Sequence, residues 1–422
     1  MISAALALFA CTEAPQVKDL GLKVDLDPAM PLRATASWDI DAAPDAWVRF
    51  GEGRASPRST SGSVQLLGMP PDEDLVIELV SDDGVLAEVT LHTGELPGWV
   101  PELAVTGSFG AGYIAAVSFP LGGDPPSLVV LDGQGRVCDY RRFEGLGPSV
   151  SGHPIVWALQ QEPGAAWVLL TDEIAQRAVR LPFDGSAEAS VALPGAHHDL
   201  LRLEDGTLAY TRADERIVDD RYVTGDQLVV RAPDGTEHVA WDSFATLPVT
   251  RHDGWDTFLG IRGDWTHANG IAWDAESARW TVSLYWLRQL VVVDDADGAV
   301  VSVLDGATTP EPFGPQHAPN WNGEGWWMFD NNQPGRGSRA LLLAPDGARL
   351  EEWRPPEGGF SPALGDVAPL QDGRLLVSGG TLPDTWLVTP GTEDLFHVRW
   401  PLATSLGQQQ WMASLYAEPL AE

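Results

Sequence analysis

A tight turn that recurs along the chain is the feature that most constrains its fold. Short apolar runs end in Asp-Gly at residues 132–133, 184–185, 234–235, 297–298 and 346–347, and a weaker copy ends in Pro-Gly at 390–391. Asp-Gly suits the positive φ angles of a two-residue hairpin, so each run predicts a strand that turns back on itself. Earlier hairpins are visible at 201–210, 271–282 and 367–377. Two hairpins per unit, in six units, predict a six-bladed β-propeller.

The composition indicates an all-β chain with a smaller domain ahead of the repeat. The 422 residues include 18 Trp, 44 Gly and 33 Pro, which is typical of strands joined by turns. From residue 33 to 96, short alternating strands are separated by turns rich in Gly, Pro and Asp, which predicts a small fibronectin type III-like β-sandwich. We therefore expect the sandwich over residues 19–97 and the propeller over 98–422. The stretch 410–416 is expected to be a last strand that closes the ring by pairing into the blade that begins near Leu103.

The N-terminus has the pattern of an export signal. The run Leu-Ala-Leu-Phe-Ala precedes Cys11 and resembles the lipobox of a bacterial lipoprotein signal peptide. Residues 1–18 are expected to be a signal peptide and tether, with Cys11 as the lipidated residue. The protein would then be exported, and either lipid-anchored to a bacterial membrane or periplasmic. Cys138 is left alone, so we expect a buried apolar residue without a disulfide.

The charge and the motifs of the chain exclude several partners. The formal net charge is −34 at pH 7, which argues against nucleic acid and anionic membranes. The sequence shows no glycine-rich phosphate loop followed by a helix, so a nucleotide donor is not expected and no cofactor is predicted.

Four of the nine histidines share one position in the repeat, just ahead of the first hairpin of a unit: His153, His198, His267 and His317. In a propeller this position lies at the mouth of the central channel, so these side chains should meet at a common centre. A ring of imidazoles with Asn269 beside it can bind an anion or relay protons. No metal site is predicted, because no short ligand spacing such as His-x-His is present.

Several short motifs, taken in order, resemble those of one protein family. They are residues 197–199, 264–269, 316–317, 329–331, 338–339 and 414–416. In this order and spacing they are similar to the motifs of bacterial arylsulfotransferases, over about residues 30–418. The resemblance implies a six-bladed propeller whose channel holds a histidine. That histidine accepts a sulfuryl group from an aryl sulfate and passes it to a phenol.

The resemblance also implies roles for individual residues. His317 would be the nucleophile, and His267 and Asn269 would bind the sulfate oxygens and assist the acid and base steps. One of His197 and His198 would complete the site; we favour His198 and expect His197 to contact the substrate. Neutral imidazole is a competent nucleophile near pH 7, and donors around the SO3 group stabilise its charge during transfer.

One position departs from the family pattern. The family has an arginine eighteen residues after the histidine of its His-x-Asn motif, and in this chain that position is Tyr285. Tyr285 would contact the phenol or pack as an aromatic residue. Arg288 is a candidate for the missing charge, and Asp330 either contacts substrate or shapes a loop. Other arginines that could supply the charge are Arg251, Arg262, Arg336 and Arg339.

Two further functions remain open from the sequence. A non-catalytic propeller that has lost the sulfate-binding arginine would bind a ligand or a protein on the same face. A metal-dependent hydrolase would use the same ring of histidines with a metal ion. Fold alone does not decide between these functions and sulfate transfer.

Overall fold

The computed structural model describes residues 20–41, 43–120, 124–144, 146, 155–171, 176–250, 263–332, 335–392 and 396–421. Their regular structure is β-strand apart from a one-turn α-helix, Ser243–Thr246, and a 3-10 helix, Pro356–Gly358. The predicted all-β class is confirmed. Within these ranges no helix is long and apolar enough to cross a membrane. The expected signal peptide, with Cys11, and His153 lie outside the described residues.

Residues up to Glu95, together with those from Pro419 onward, form one compact unit. Its strands are β1 Lys23–Asp27, β2 Met30–Ser37, β3 Trp47–Phe50, β4 Arg54–Ala55, β5 Ser63–Leu66, β6 Asp74–Ser81 and β7 Gly84–His92. They form two antiparallel sheets, ordered β1-β2-β5 and β4-β3-β6-β7, which share one apolar core around Trp38 and Phe50. The likeness to fibronectin type III domains stays a prediction.

Residues Leu96–Glu418 form the second compact unit, and most of it is strand. Its strands are β8 Ala104–Gly107, β9 Tyr113–Pro120, β10 Ser127–Asp132, β11 Val137–Arg142, β12 Ile155–Glu162, β13 Ala165–Thr171, β14 Gln176–Pro182, β15 Ala189–Ala192, β16 Ala196–Arg202, β17 Leu208–Val218, β18 Arg221–Arg231, β19 Glu237–Asp242, β20 Ala268–Asp274, β21 Arg279–Leu284, β22 Gln289–Asp294, β23 Val300–Asp305, β24 Gln316–Trp321, β25 Trp326–Asp330, β26 Arg339–Leu343, β27 Arg349–Trp353, β28 Asp366–Pro369, β29 Leu375–Ser378, β30 Asp384–Val388, β31 Phe396–Arg399 and β32 Thr404–Met412.

These strands form small antiparallel sheets in the order of the chain. Four sheets are each built from consecutive strands: β12 to β15, β16 to β19, β20 to β23 and β24 to β27. Each recurrent turn joins two outer strands of a sheet, as β18 and β19 are joined. The turn is longer than the predicted two-residue hairpin, because Ala232 donates to Thr236 and Gly235 donates to Ala232. Gly235 has φ +92°, so glycine is required after the tight part of the turn.

The two ends of this unit each complete a sheet that is distant in sequence. β32 pairs with β9 in the sheet β11-β10-β9-β32, and β8 pairs with β31 at the edge of the sheet β28 to β31. A C-terminal strand was predicted, but it spans Thr404–Met412 rather than 410–416. It pairs into the sheet that holds the first recurrent turn, as predicted, but that sheet begins with β9 at Tyr113, because β8 after Leu103 belongs to the other end sheet.

The first strands of neighbouring sheets contact one another in the order β12, β16, β20, β24, β28, β32 and back to β12. Polar side chains join them by bonding the backbone of the next sheet. Asp199 accepts from Ile271 N–H, Asn269 donates to Gln316 O, Asn320 donates to Val367 O, Asp366 accepts from Gln409 N–H, and Gln408 accepts from Leu159 N–H. Each bond satisfies a backbone group that no sheet ladder reaches.

Five of these six first strands carry an irregular register against their partner. The shifts fall at Val156/Leu159, His197/Leu200, Ala268/Gly270, His317/Asn320 and Leu406/Gln409. A β-bulge redirects the side chains of the bulged strand. The recurrence explains why histidines at one position of the repeat come together.

Candidate active site

The bulges hold several residues of the predicted site in an uncommon backbone conformation. His198, His267 and Ala318 have φ values of +56°, +50° and +47°, and Leu364, on the loop before β28, has φ +60°. Residues other than glycine rarely adopt this left-handed region, and such strain concentrates at functional sites. The rings of His198 and His267 are 4.6 Å apart between centroids.

His317 is buried and its tautomer is fixed by its neighbours. Its Nδ1 is 2.6 Å from Oδ1 of Asn331. The amide nitrogen of Asn331 donates to the carbonyl oxygens of Ser361 and Leu364, so Oδ1 is the acceptor and Nδ1 of His317 carries the proton. Nε2 then has the lone pair, and it accepts a hydrogen bond from Leu364 N–H at 3.2 Å. Burial lowers the pKa of His317 to about 3, so the ring is neutral.

His267 pairs with a buried carboxylate. Its Nδ1 lies 2.7 Å from Oδ2 of Asp264, and the indole N–H of Trp286 donates to the same oxygen at 2.9 Å. Burial of Asp264 favours the neutral acid, but the neighbouring His267 outweighs it and lowers the pKa of Asp264 below its usual value. A carboxylate on Nδ1 orients the ring and supports a proton on it, as in a catalytic His–Asp pair.

His197 and His198 contact each other through their Nδ1 atoms at 2.7 Å, so one donates and the other accepts. Burial, and then the nearby histidines, hold the pKa of His198 well below its usual value. The ring of Trp157 packs on His198 with centroids 4.0 Å apart. Nε2 of His197 lies 2.9 Å from Oδ1 of Asp226, but without the geometry of a hydrogen bond.

Tyr285 lies between the two principal histidines. Its ring centroid is 5.4 Å from that of His267 and 5.2 Å from that of His317. The phenol donates to the carbonyl oxygen of Pro362 at 2.8 Å, and burial raises its pKa. The structure therefore brings the residue that replaces the family arginine into the centre of the site.

Asn269 is buried at the junction of two sheets. Its Nδ2 donates to Gln316 O at 2.6 Å, and its Oδ1 accepts from Ser283 Oγ at 2.8 Å. An amide nitrogen has two N–H groups, so one remains for a ligand. The side chain of Gln316 donates to Ser283 and to two backbone carbonyls, which fixes the strand that carries His317.

A small cavity, part of it open to solvent, lies at this centre. It is lined by Trp157, His198, Asn269, His317, Ala318, Leu364, Gly365, Gly407 and Gln408. Most of these residues come from the bulges of the first strands. The lining is mainly apolar, with imidazole and amide groups as its polar parts, which suits an aromatic ligand with one polar end.

Five of the predicted site residues are not among those that line the cavity: His197, His267, Tyr285, Arg288 and Asp330. Arg288 is exposed in the turn between β21 and β22, outside the cavity lining. Asp330 is fully buried and forms an ion pair with Arg339 at 2.7 Å, while its other oxygen accepts from Gly314 N–H and Asn332 N–H. Arg339 also binds Glu311 and Glu352. These contacts give Asp330 and Arg339 a structural role, and the structure does not bring either to the cavity.

Of the other arginines named from the sequence, Arg336 is exposed, and Arg251 and Arg262 lie outside the described residues. No group of three or more His, Cys, Asp or Glu side chains suited to a metal ion occurs in the described parts of the chain. Cys138 is a buried free thiol.

Sequence reasoning missed the partners that orient the histidines. Asn331 was interpreted only as part of a loop, although its place beside the Phe329-Asp330 motif was a signal. Trp157 stands at the bulge of β12, the position that holds His198 in β16, so the repeat could have identified it. Leu364 contributes a backbone N–H, which side-chain chemistry does not reveal.

Solved structures that resemble the chain have little sequence in common with it. A protein of unknown function from Bacteroides caccae is 11% identical, with a TM-score of 0.42, over 64% of this chain and 83% of that one. A nidogen/laminin complex is 11% identical, with a TM-score of 0.39, over 75% and 95%. The β-propeller domain of Cps50 (Swd1) from Myceliophteria thermophila is 11% identical, with a TM-score of 0.30, over 67% and 94%.

A family model gives a more specific result. No curated protein matches the chain. Residues 124–307 match the model described as Arylsulfotransferase (ASST), a segment that includes His198, His267 and Tyr285 and ends before His317. The resemblance to arylsulfotransferases inferred from the motifs is thereby confirmed over this segment.

Proposed function

We propose that this protein transfers a sulfuryl group from an aryl sulfate to a phenol through a covalent intermediate on His317. The observation that carries the proposal is the fixed tautomer of this residue. Asn331 keeps the proton on Nδ1, so Nε2 has its lone pair next to the cavity. A buried, neutral imidazole is a competent nucleophile for a sulfuryl group.

The proposed fold of the second unit is a six-bladed β-propeller. Six sheets whose first strands contact one another in cyclic order support it, as do the two sheets completed by strands from the ends of the unit. In such a fold the first strands surround a central channel. The cavity, lined by residues of these strands, would be the mouth of that channel.

The chemistry would run in two steps. Nε2 of His317 attacks sulfur, an N–S bond forms, and the S–O bond to the aryl group breaks with its electron pair leaving on the phenolate. His267, held by Asp264, is placed to protonate that oxygen. The acceptor phenol then gives its proton to the same imidazole and attacks sulfur, and the N–S bond breaks to restore the lone pair on Nε2. Such a sequence gives ping-pong kinetics.

The substrates proposed are small aryl sulfates and phenols, in line with the family. The free N–H of Asn269 and the imidazole of His198 would donate to the sulfuryl oxygens, where charge develops during transfer. Trp157, which lines the cavity, would provide aromatic surface for the aryl ring. A lipid-anchored or periplasmic location, with Cys11 lipidated, is also proposed from the sequence pattern; a Cys11→Ala variant that still incorporates labelled palmitate would contradict it.

The test is a transfer assay with the full chain, with 4-nitrophenyl sulfate as donor and phenol as acceptor. We expect nitrophenol release that depends on phenol, survives EDTA and is lost in His317→Ala. His92→Ala is the matched control, since His92 is an exposed histidine of the first unit and should leave the rate unchanged. Loss of activity with EDTA would point instead to a metal-dependent hydrolase.

A second candidate is a non-catalytic binding protein. The observations that favour it are that both nitrogens of His317 have hydrogen-bond partners and that no arginine lines the described cavity. Folded protein that releases no nitrophenol from any of a panel of aryl sulfates, but binds phenols with an affinity that His317→Ala changes, would establish this function instead.

A further inference from the structure

The lone pair of His317 Nε2 is occupied by a backbone group. Leu364 N–H donates to it at 3.2 Å, and an sp² nitrogen has one lone pair in the ring plane. A bond from Nε2 to sulfur therefore requires that Leu364 N–H first moves away. In this structure Nε2 of His317 is therefore not free to attack sulfur.

The segment Ser361–Gly365, here called the cap, is held in place by side chains around it. The hydroxyl of Ser361 donates to Ala363 O, in the peptide group that contains Leu364 N–H. The phenol of Tyr285 donates to Pro362 O, in the peptide group just before it. Two neighbouring side chains thus fix the two peptide groups that precede Leu364.

The cap is also strained at the residue that covers the nucleophile. Leu364 has φ +60°, a left-handed conformation that is unfavourable for a residue other than glycine. Release of the hydrogen bonds from Tyr285 and Ser361 would let this peptide group rotate toward a common conformation. Pro362 is exposed, so the outer side of the cap has room to move.

We propose that Ser361–Gly365 is a movable cap that blocks His317, and that Tyr285 is a positioning residue that keeps the cap closed. This inference rests on the proposed function, since the covered atom is the proposed nucleophile. In the open form a sulfuryl oxygen takes the place of Nε2 as the acceptor of Leu364 N–H. The N–H then keeps its proton and stabilises charge on the group being transferred.

The test measures how fast His317 reacts with diethyl pyrocarbonate, which acylates an imidazole nitrogen that has a lone pair. The tryptic peptide from Gln289 to Arg336 contains no other histidine, so mass spectrometry follows this residue alone. Because the reagent needs no sulfate transfer, the result does not depend on whether the protein is an active enzyme.

Tyr285→Phe keeps the ring and removes the hydroxyl, so we expect His317 to react about fivefold faster, the factor that corresponds to one neutral hydrogen bond. Ser361→Ala should also make His317 react faster, and it tests the proposal if Tyr285→Phe does not fold. Tyr222→Phe is the matched control, because Tyr222 is exposed and lies outside the cap and the cavity lining, so it should not change the rate.

The pH dependence separates a moving cap from an altered basicity of the ring. The ratio of the variant to the wild-type rate of His317 acylation should be equal at pH 6 and pH 8, since His317 is neutral at both. The proposal is overturned if both folded variants react at the wild-type rate. It is equally overturned if wild-type His317 reacts as fast as the exposed His92.

Discussion

The strongest prediction for stability concerns two buried carboxylates at the junctions between sheets. Asp366 is 3% exposed and accepts a hydrogen bond from Gln409 N–H, and Asp199 is 4% exposed. Burial raises the pKa of Asp366 to about 7, and the charge of Asp199 adds to the effect. Burial also raises the pKa of Asp199 to about 6. The folded protein therefore holds protons that an unfolded chain releases above about pH 4.

The sign of the effect follows from linkage. Because the pKa of Asp366 is higher in the folded state, its contribution to stability is fully present below about pH 4 and is lost as pH rises through 7. A difference of about 3 between the folded and unfolded pKa values of Asp366 lowers the free energy of unfolding by about 4 kcal/mol at high pH. Because Asp366 shares its charge with Asp199, we expect a loss of about 2–4 kcal/mol. Asparagine mimics the protonated acid, so Asp366→Asn should remove most of the free-energy cost of ionising this carboxyl in the folded protein.

We expect Asp366→Asn to stabilise the protein by about 2–4 kcal/mol at pH 8 and by about 1–1.5 kcal/mol at pH 5. Guanidinium unfolding at the two pH values, followed by near-ultraviolet circular dichroism, measures the difference. Asp372→Asn is the control, since Asp372 is exposed in the next turn and should change stability by less than about 0.5 kcal/mol. Equal destabilisation by Asp366→Asn at both pH values would refute the reasoning, because it would show that the carboxylate is ionised without penalty.

Three further predictions concern groups around the site. Nitrogen NMR should show His317 neutral, with its proton on Nδ1, at pH 5 as at pH 7, because burial lowers its pKa to about 3; a charged ring at pH 5 would contradict this. Asn331→Ala should reduce transfer about tenfold, since it removes the acceptor that keeps the proton on Nδ1 of His317 as well as two hydrogen bonds to the cap, and a wild-type rate would show that the tautomer is not limiting. Asp330→Asn should destabilise the protein by about 2–3 kcal/mol in thermal unfolding, because Arg339 loses a buried charged partner; an unchanged midpoint would rule out that role.

The fold was predictable where it depends on local chemistry. Asp-Gly turns and alternating strands are encoded in a few adjacent residues, so the recurrent unit was visible without a structure. A propeller must close its ring, which predicted a C-terminal strand paired into the first unit, and β32 pairs there. The strand bounds and the partner β9 were not predictable, because hydrogen bonds between segments almost three hundred residues apart leave no local signal. The predicted strand at 410–416 was therefore placed too late.

The repeat made part of the site predictable, because residues at equivalent positions of successive units come together. Equivalent positions in consecutive units identified His198 and His267, which lie side by side. Asp330 was predicted either to contact substrate or to shape a loop; it accepts from Asn332 N–H in the loop and pairs with Arg339 in the neighbouring strand. Which face of a strand a residue occupies depends on register, and a bulge shifts that register by one residue.

The arrangement around Asn269 shows why architecture and chemistry are linked in this protein. One N–H of its amide bonds Gln316 O and so joins β20 to β24, the strand that carries His317. Its oxygen is held by Ser283, which also accepts from the side chain of Gln316. Only the second N–H remains for the proposed sulfate contact, and its direction is fixed by the bonds that join the sheets. The proposed sulfate donor is therefore oriented by the contact that positions the proposed nucleophile, which is the preorganisation that charge stabilisation in a transition state requires.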